Sequence, residues 1–476
     1  MSFDTSTTVL STKTSDVSAT PTVVDNTVYF PDWGGWLYAV DAHLGKARWT
    51  TKISDYNGVA GSLSRTSPAV AGDLLILGDK PPNGTTGWGQ DSKVGAHVFA
   101  VDAHTGKLAW ITQVDSTFVS QITGSPVVFN GVVYVGVSSV EKITAAFVPG
   151  YQCIFRGSEV ALDARTGKVL WQTFDMPSGY TGGAIWGSSA AIDPDRGDLY
   201  VGTGNNYSVP ASVQACHDAG GTNCDSPDDH VDSLMAFDLR TGAVKWATGT
   251  LSFDNWTVGC ILSALPNCPS PKSADADFGS GPNVFFAGGK ALVGAGTKGG
   301  TYWALDDATG KVLWATQVGP GGIFGGIEWG SSVADGRVYV AESNSGHVAT
   351  TLTHPSPGSA SSTSGGFWEA LNAATGEILW QTPDPAGPTF GDIGQTATSN
   401  GVVYAGSSDA AGHVYALNGA TGKIKWSFAT GGSIGSGASI VNGTVYWGSG
   451  YGQFASSGTT GNNKVYAFSL QHEDDD

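Results

Sequence analysis

Basic residues are scarce in this chain. Lys and Arg together number 23 against 41 Asp and Glu, a formal charge of −18. That excess of negative charge argues against a surface built to collect nucleic-acid phosphates or to lie on an anionic membrane. Long apolar runs are missing too, so no membrane span is expected, and the opening MSFDTSTTVLSTKT lacks the apolar core of a signal peptide. Cysteine is limited to five residues, with no CxxCH, so no covalent haem is expected. Cys216 and Cys224 share one Gly- and Asp-rich insertion, and Cys260 and Cys268 share the next. Two local disulfides suit an extracytoplasmic protein, periplasmic or secreted; zinc is the weaker alternative because neither pair has CxxC spacing. Cys153 is left over as a buried thiol.

What the chain has in abundance is glycine, 69 residues, and a repeat. VALDARTGKVLW (160–171) reads as two short strands around a Thr-Gly-Lys turn, where Gly167 takes a positive φ without a Cβ clash. Close copies stand at 37–49, 98–110, 234–246, 302–314, 367–380 and 414–426, and a truncated one, KVYAFSL, at 464–470. Between copies lies a second hairpin with an Asn-Gly or Gly-containing turn, such as SPVVFNGVVYVG (125–136). Two hairpins make a four-stranded antiparallel unit, and radial repetition of that unit makes a propeller. The reading is all-β: one eight-bladed β-propeller over residues 1–471, with an acidic tail, HEDDD, at 472–476. A chain of 476 residues is oversized for one compact core, but blades that pack only on their neighbours avoid that limit. The strand-like TVLSTKT (8–14) is expected to complete the last blade and close the ring.

Loop lengths are uneven. Turns inside hairpins are short, whereas 79–96, 138–158, 205–232, 250–283 and 343–365 are long. These follow a blade's second strand or join two blades, connections that emerge on one face of an up-and-down blade. Functional groups are therefore expected on that face, about the axis. Glu141, Asn205, Asp275, Asp277, Lys298, Trp186, Arg65 and Thr123 all fall at such positions. Carboxylates with an amide oxygen suit a hard cation, Lys and Arg suit an anionic cofactor, and a Trp face suits a flat ring. Singly, each has a plainer reading: Trp186 as core, Asn205 as a turn residue, the two aspartates as a solvated loop, Lys298 as part of a turn.

FRGSEVALDARTGKVLWQT, GAIWGSSAAIDP, VGTGNNYSVP, PNCPSPKSADADFG and KGGTYWALD together resemble the pyrroloquinoline-quinone (PQQ) dependent alcohol dehydrogenases, specifically their polyvinyl-alcohol-dehydrogenase-like branch. The resemblance covers almost the whole chain. It implies an oxidoreductase that takes a hydride from an alcohol, large or polymeric alcohols included, and passes electrons to a separate acceptor such as a cytochrome c or an artificial dye. It implies PQQ with Ca²⁺ or a lanthanide. It also implies roles: Asp275 as catalytic base and metal ligand, Glu141 and Asn205 as further metal ligands, and Asp277 as the additional acid of lanthanide-using relatives. Lys298 would stand beside the quinone oxygens and Trp186 would stack on the ring. Arg65, Thr123 and Ser138 would hold the cofactor's carboxylates or carbonyls.

The chain departs from the wider pattern in two places. GVAGSLSRTSP (58–68) lacks the adjacent cysteine pair found beside the cofactor in many relatives, and Ser18 replaces an acidic cofactor contact. The other functional class is a non-catalytic propeller, a scaffold or binding module, which would have no need of converging carboxylates, Lys298 and Trp186.

Overall fold

The computed structural model describes residues 2–4, 16–81, 94–187, 189–251, 253–261, 267–270, 273–322 and 324–469. Eight four-stranded antiparallel blades follow one another around an axis. Blade one is Thr22–Val24, Thr27–Pro31, Trp36–Asp41 and Ala47–Lys52. Blade three is Val127–Phe129, Val132–Ser139, Ser158–Asp163 and Val169–Phe174. Each blade's short first strand meets its neighbour's for most of the ring, so the first strands surround the axis.

The repeat explains how blades lock. At its turn, Asp163 Oδ1 accepts from the Thr166 N–H at 2.8 Å and from Thr166 Oγ1 at 2.7 Å, which fixes an Asx-type turn. Gly167 then lies flat on Trp110, the final Trp of the preceding blade, whose Nε1 donates to Ala164 O at 3.0 Å. The same dock recurs: Trp49 donates to Ala103 O, Trp171 to Leu239 O, Trp246 to Asp307 O, Trp314 to Ala373 O and Trp380 to Gly419 O. Apolar cores accordingly sit between blades. Tyr29, Leu37 and Ala39 of blade one pack on Leu75, Leu77, Phe99 and Val101 of blade two.

Blade eight is closed by the N-terminus. Ser2–Asp4 pairs antiparallel with Lys464–Ser469, Ser2 opposite Tyr466. The closing strand therefore lies earlier than the expected 8–14, which falls outside the described residues, as does the 472–476 tail. Beyond it, the Asp16 carboxylate accepts from the Gly452 and Asn462 N–H groups, and Val28, Phe30 and Tyr38 pack on Tyr446 and Val465.

Both expected disulfides are present, Cys216–Cys224 and Cys260–Cys268. Cys153 is a free thiol, as read, but half-buried rather than buried. Burial, and then the nearby Glu141 carboxylate, push it up to about 12. No helix among the described residues is long and apolar enough to cross a membrane.

Candidate functional site

A cavity of about 210 Å³ opens where the axial ends of the blades meet. It collects Arg65 from before blade two, Thr123 and Ser138 from blade three, and Trp186 and Asn205 from blade four. Asp275, Asp277 and Lys298 come from blade five. These are the expected site residues except Glu141. The 138–158, 205–232 and 250–283 insertions line the cavity; the described parts of 79–96 and 343–365 do not.

The polar wall is tightly cross-linked. Lys298 Nζ donates to Asp275 Oδ2 at 2.7 Å and lies 3.6 Å from Asp277 Oδ2. Trp186 Nε1 donates to Asp277 Oδ2 at 3.0 Å, and the Asn205 N–H donates to Asp277 Oδ1 at 2.8 Å. Asp275 takes a left-handed backbone, φ +56, which Asp tolerates better than most residues. Buried Asp254 braces that bend, accepting from the Ala276 N–H at 2.8 Å. Also in the lining, Thr123 and Ser138 share a 2.6 Å hydroxyl–hydroxyl bond. Part of the lining is apolar, with Phe324, Phe390 and Phe454 packed on one another.

A second lysine, not anticipated from the sequence, completes the polar wall. Lys142 Nζ lies 3.7 Å from Asp275 Oδ1 and 3.4 Å from Asp277 Oδ2. Both ammoniums lie over the faces of Trp186 and Trp256, 5.3–5.8 Å from the ring centroids. Burial raises the Asp275 carboxyl above its ordinary range, although Lys142 and Lys298 pull the other way. For Asp277 burial also pushes upward, but the two lysines and the Asn205 N–H outweigh it and leave the group lowered. Burial pulls Lys142 down, and Asp275 and Asp277 more than restore it, so it is held as an ammonium.

Glu141 is not in this group. Its Oε1 accepts from Tyr151 OH and the Ile154 N–H, both at 2.9 Å, and its Oε2 accepts from the Phe155 N–H at 3.0 Å. The carboxylate is wholly buried and pins the 138–158 insertion.

Among the described residues three buried atoms of the cavity wall have no hydrogen-bond partner, Gln121 Oε1 being one. Buried Asp275 Oδ1 has no hydrogen-bond partner, only the distant Lys142 ammonium, and buried Trp329 Nε1 has none. Trp329 also holds φ +54, an outlier for a bulky residue. Arg65 lies 4.4 Å over the Trp329 ring, and the adjacent Glu328 is pushed up to about 7 by burial. A flat, anionic, acceptor-rich ring fits this lining, which offers an aromatic face, an idle N–H and three cations. A divalent or trivalent metal fits poorly. Among the described residues no three His, Cys, Asp or Glu side chains converge as ligands, and the two aspartates already face two ammoniums.

A family profile described as "Outer membrane protein assembly factor BamB" matches residues 3–201 and 230–472. The chain belongs to this family of PQQ-repeat propellers. It is 34% identical over 379 residues to a polyvinylalcohol dehydrogenase of Sphingopyxis sp. (strain 113P3), covering 75% of this chain and 52% of that one. It is 30% identical over 413 residues to a polyvinylalcohol dehydrogenase of Pseudomonas sp., covering 82% and 58%. The chain thus spans little more than half the length of these relatives. Among solved structures, the quinohemoprotein alcohol dehydrogenase of Comamonas testosteroni superposes with a TM-score of 0.66 at 21% identity, covering 98% of this chain and 75% of that one.

Sequence reasoning missed Lys142, Glu328 and Trp329. For the last two a signal was present: GGIEWGSS (325–332) echoes GGAIWGSS (182–189), the motif that carries Trp186. Lys142 had none, because the turn that brings it to the cavity is set by Glu141 bonding backward into its own insertion.

Proposed function

We propose that this propeller is a PQQ-dependent alcohol dehydrogenase that oxidises an alcohol to the carbonyl compound and passes the electrons to a separate acceptor. The observation that carries the reading is the convergence of Trp186, Lys298, Asp275 and Asp277, residues far apart in the chain, on one cavity. The named relatives, polyvinylalcohol dehydrogenases, support the same activity and make a large or polymeric alcohol the first substrate to try.

In this reading Trp186 would be the platform for the ring, with Thr123 and Ser138 in the same lining. Arg65, Lys298 and the idle Trp329 N–H would hold the cofactor's anionic and carbonyl oxygens. A quinone held here would supply the acceptor for the hydride equivalent of the substrate carbon. Asp275 Oδ1 takes the hydroxyl proton. Its freedom from any hydrogen bond leaves a lone pair for that proton, and burial, which raises the group above its ordinary range, favours taking one up. Lys298, bonded to the other oxygen, holds the carboxylate in place and screens its charge. The phenylalanine wall excludes water from the reacting carbon. Chain-derived haem is not needed for the acceptor to be a cytochrome c or a dye. The two disulfides favour a periplasmic or secreted setting.

The test adds PQQ to the purified protein and measures bound quinone by absorbance, then dye reduction with small and polymeric alcohols. Bound quinone with alcohol-dependent dye reduction is expected. Absence of quinone binding under every cation condition would favour the scaffold reading instead, which the family description leaves open.

A further inference from the structure

We propose that the ε-ammonium of Lys142 is the built-in cation of this site, and that the chain binds its anionic quinone without Ca²⁺ or a lanthanide. This rests on the quinone reading above. Lys142 occupies the ground between the two carboxylates, 3.7 Å from Asp275 and 3.4 Å from Asp277. It faces the same two aspartates as Lys298, which leaves two ammoniums against two carboxylates. Those four groups balance among themselves, with Glu328, Asp232, Asp254 and Arg65 around them, and a metal entering beside Lys142 would meet its like-signed charge directly.

Most of the carboxylate oxygens a metal would use are committed elsewhere. Ca²⁺ collects about six to eight oxygen ligands. Asp277 has both oxygens engaged, one by the Asn205 N–H and one by Trp186 Nε1. Glu141 is turned away and satisfied by Tyr151, Ile154 and Phe155. The Asn205 side-chain amide is anchored through its Nδ2 to Asn206 O and Trp256 O. That leaves one carboxylate oxygen, Asp275 Oδ1, with the amide oxygens of Asn205 and Gln121, about half of the set that Ca²⁺ collects. An ammonium can do what the metal would do electrostatically, since its N–H groups can bond a carboxylate and a quinone oxygen together. The seat is aromatic as well: Trp186 and Trp256 flank Lys142 at 5.6 and 5.3 Å, an environment that favours an ammonium over a strongly hydrated metal ion.

The experiment titrates PQQ into metal-stripped protein, following tryptophan quenching and quinone absorbance, with chelator, with Ca²⁺ and with Eu³⁺. Europium luminescence reports metal uptake independently. Wild type is expected to bind quinone equally well in all three conditions and to take up no stoichiometric europium. Lys142→Ala is expected to lose about tenfold to hundredfold in quinone affinity in chelator, the equivalent of one charge-assisted hydrogen bond, and to recover part of it with Ca²⁺. Lys142→Arg, which keeps the charge, should retain cation-independent binding. Quinone binding by wild type only when Ca²⁺ or Eu³⁺ is supplied, or stoichiometric europium in wild type, would overturn the inference while leaving the quinone reading intact. No quinone binding in any condition would overturn both.

Discussion

Two glycines of blade three separate the cost of a backbone from the cost of a dock. Gly131 and Gly167 have nearly the same left-handed backbone, φ +77 and +71. A Cβ at Gly131 would meet nothing within 4 Å. At Gly167 it would stand 2.4 Å from Trp110 Cε3, 2.6 Å from Trp110 Cδ2 and 2.8 Å from Thr112 Oγ1. Alanine at either position bears the left-handed penalty, roughly 1–2 kcal/mol. Only Gly167→Ala must also push the indole aside, weakening the Trp110–Ala164 and Thr112–Gly167 hydrogen bonds. Overpacking costs about 1–3 kcal/mol and a neutral hydrogen bond about 1. Gly167→Ala should therefore exceed Gly131→Ala by about 2–4 kcal/mol. Urea unfolding followed by tryptophan fluorescence and by circular dichroism gives the comparison. Equal destabilisation by the two variants would mean that the Trp-on-Gly contact does not hold blades together, and the account of the repeat would fail.

Asp275→Asn should keep quinone bound while lowering dye-linked alcohol oxidation by about 10²–10⁴-fold, the usual worth of a positioned base; unchanged turnover would move that role to another residue. Breaking Cys216–Cys224 by paired Cys→Ser substitution should cost about 2–3 kcal/mol, the closure entropy of a short loop, and show as a lower unfolding midpoint. Glu342, wholly buried, is pushed up to about 7 by burial, against which two backbone N–H groups work only partly. The unfolded chain releases that proton near 4.5 and the folded one does not, so stability from this group is lost as pH rises from 4.5 to about 7. Relative to Glu342→Gln, wild type should lose about 3 kcal/mol between about pH 4 and pH 8 in urea midpoints taken across pH; parallel profiles would refute the burial argument.

The blades were legible because their determinants are local. An Asp or Asn, a Gly and usually a Thr at fixed spacing close a turn through bonds within a few residues, as Asp163 and Thr166 do, and the recurring hairpin, with its truncated last copy, then counts the units. The ring's closing strand was not, because Ser2–Asp4 and 8–14 are both short segments of strand-like composition, and only the pairing with Lys464–Ser469 distinguishes one of them. At the site, motif and loop position were enough to single out Trp186, Asn205, Asp275, Asp277 and Lys298. Whether two carboxylates face a metal or an ammonium is a matter of direction, and direction belongs to tertiary structure. Glu141 and Lys142 are adjacent in sequence, and either could have turned toward the axis. Three donors at Tyr151, Ile154 and Phe155 draw the glutamate backward, and the helix that starts there carries the lysine forward to Asp275 and Asp277.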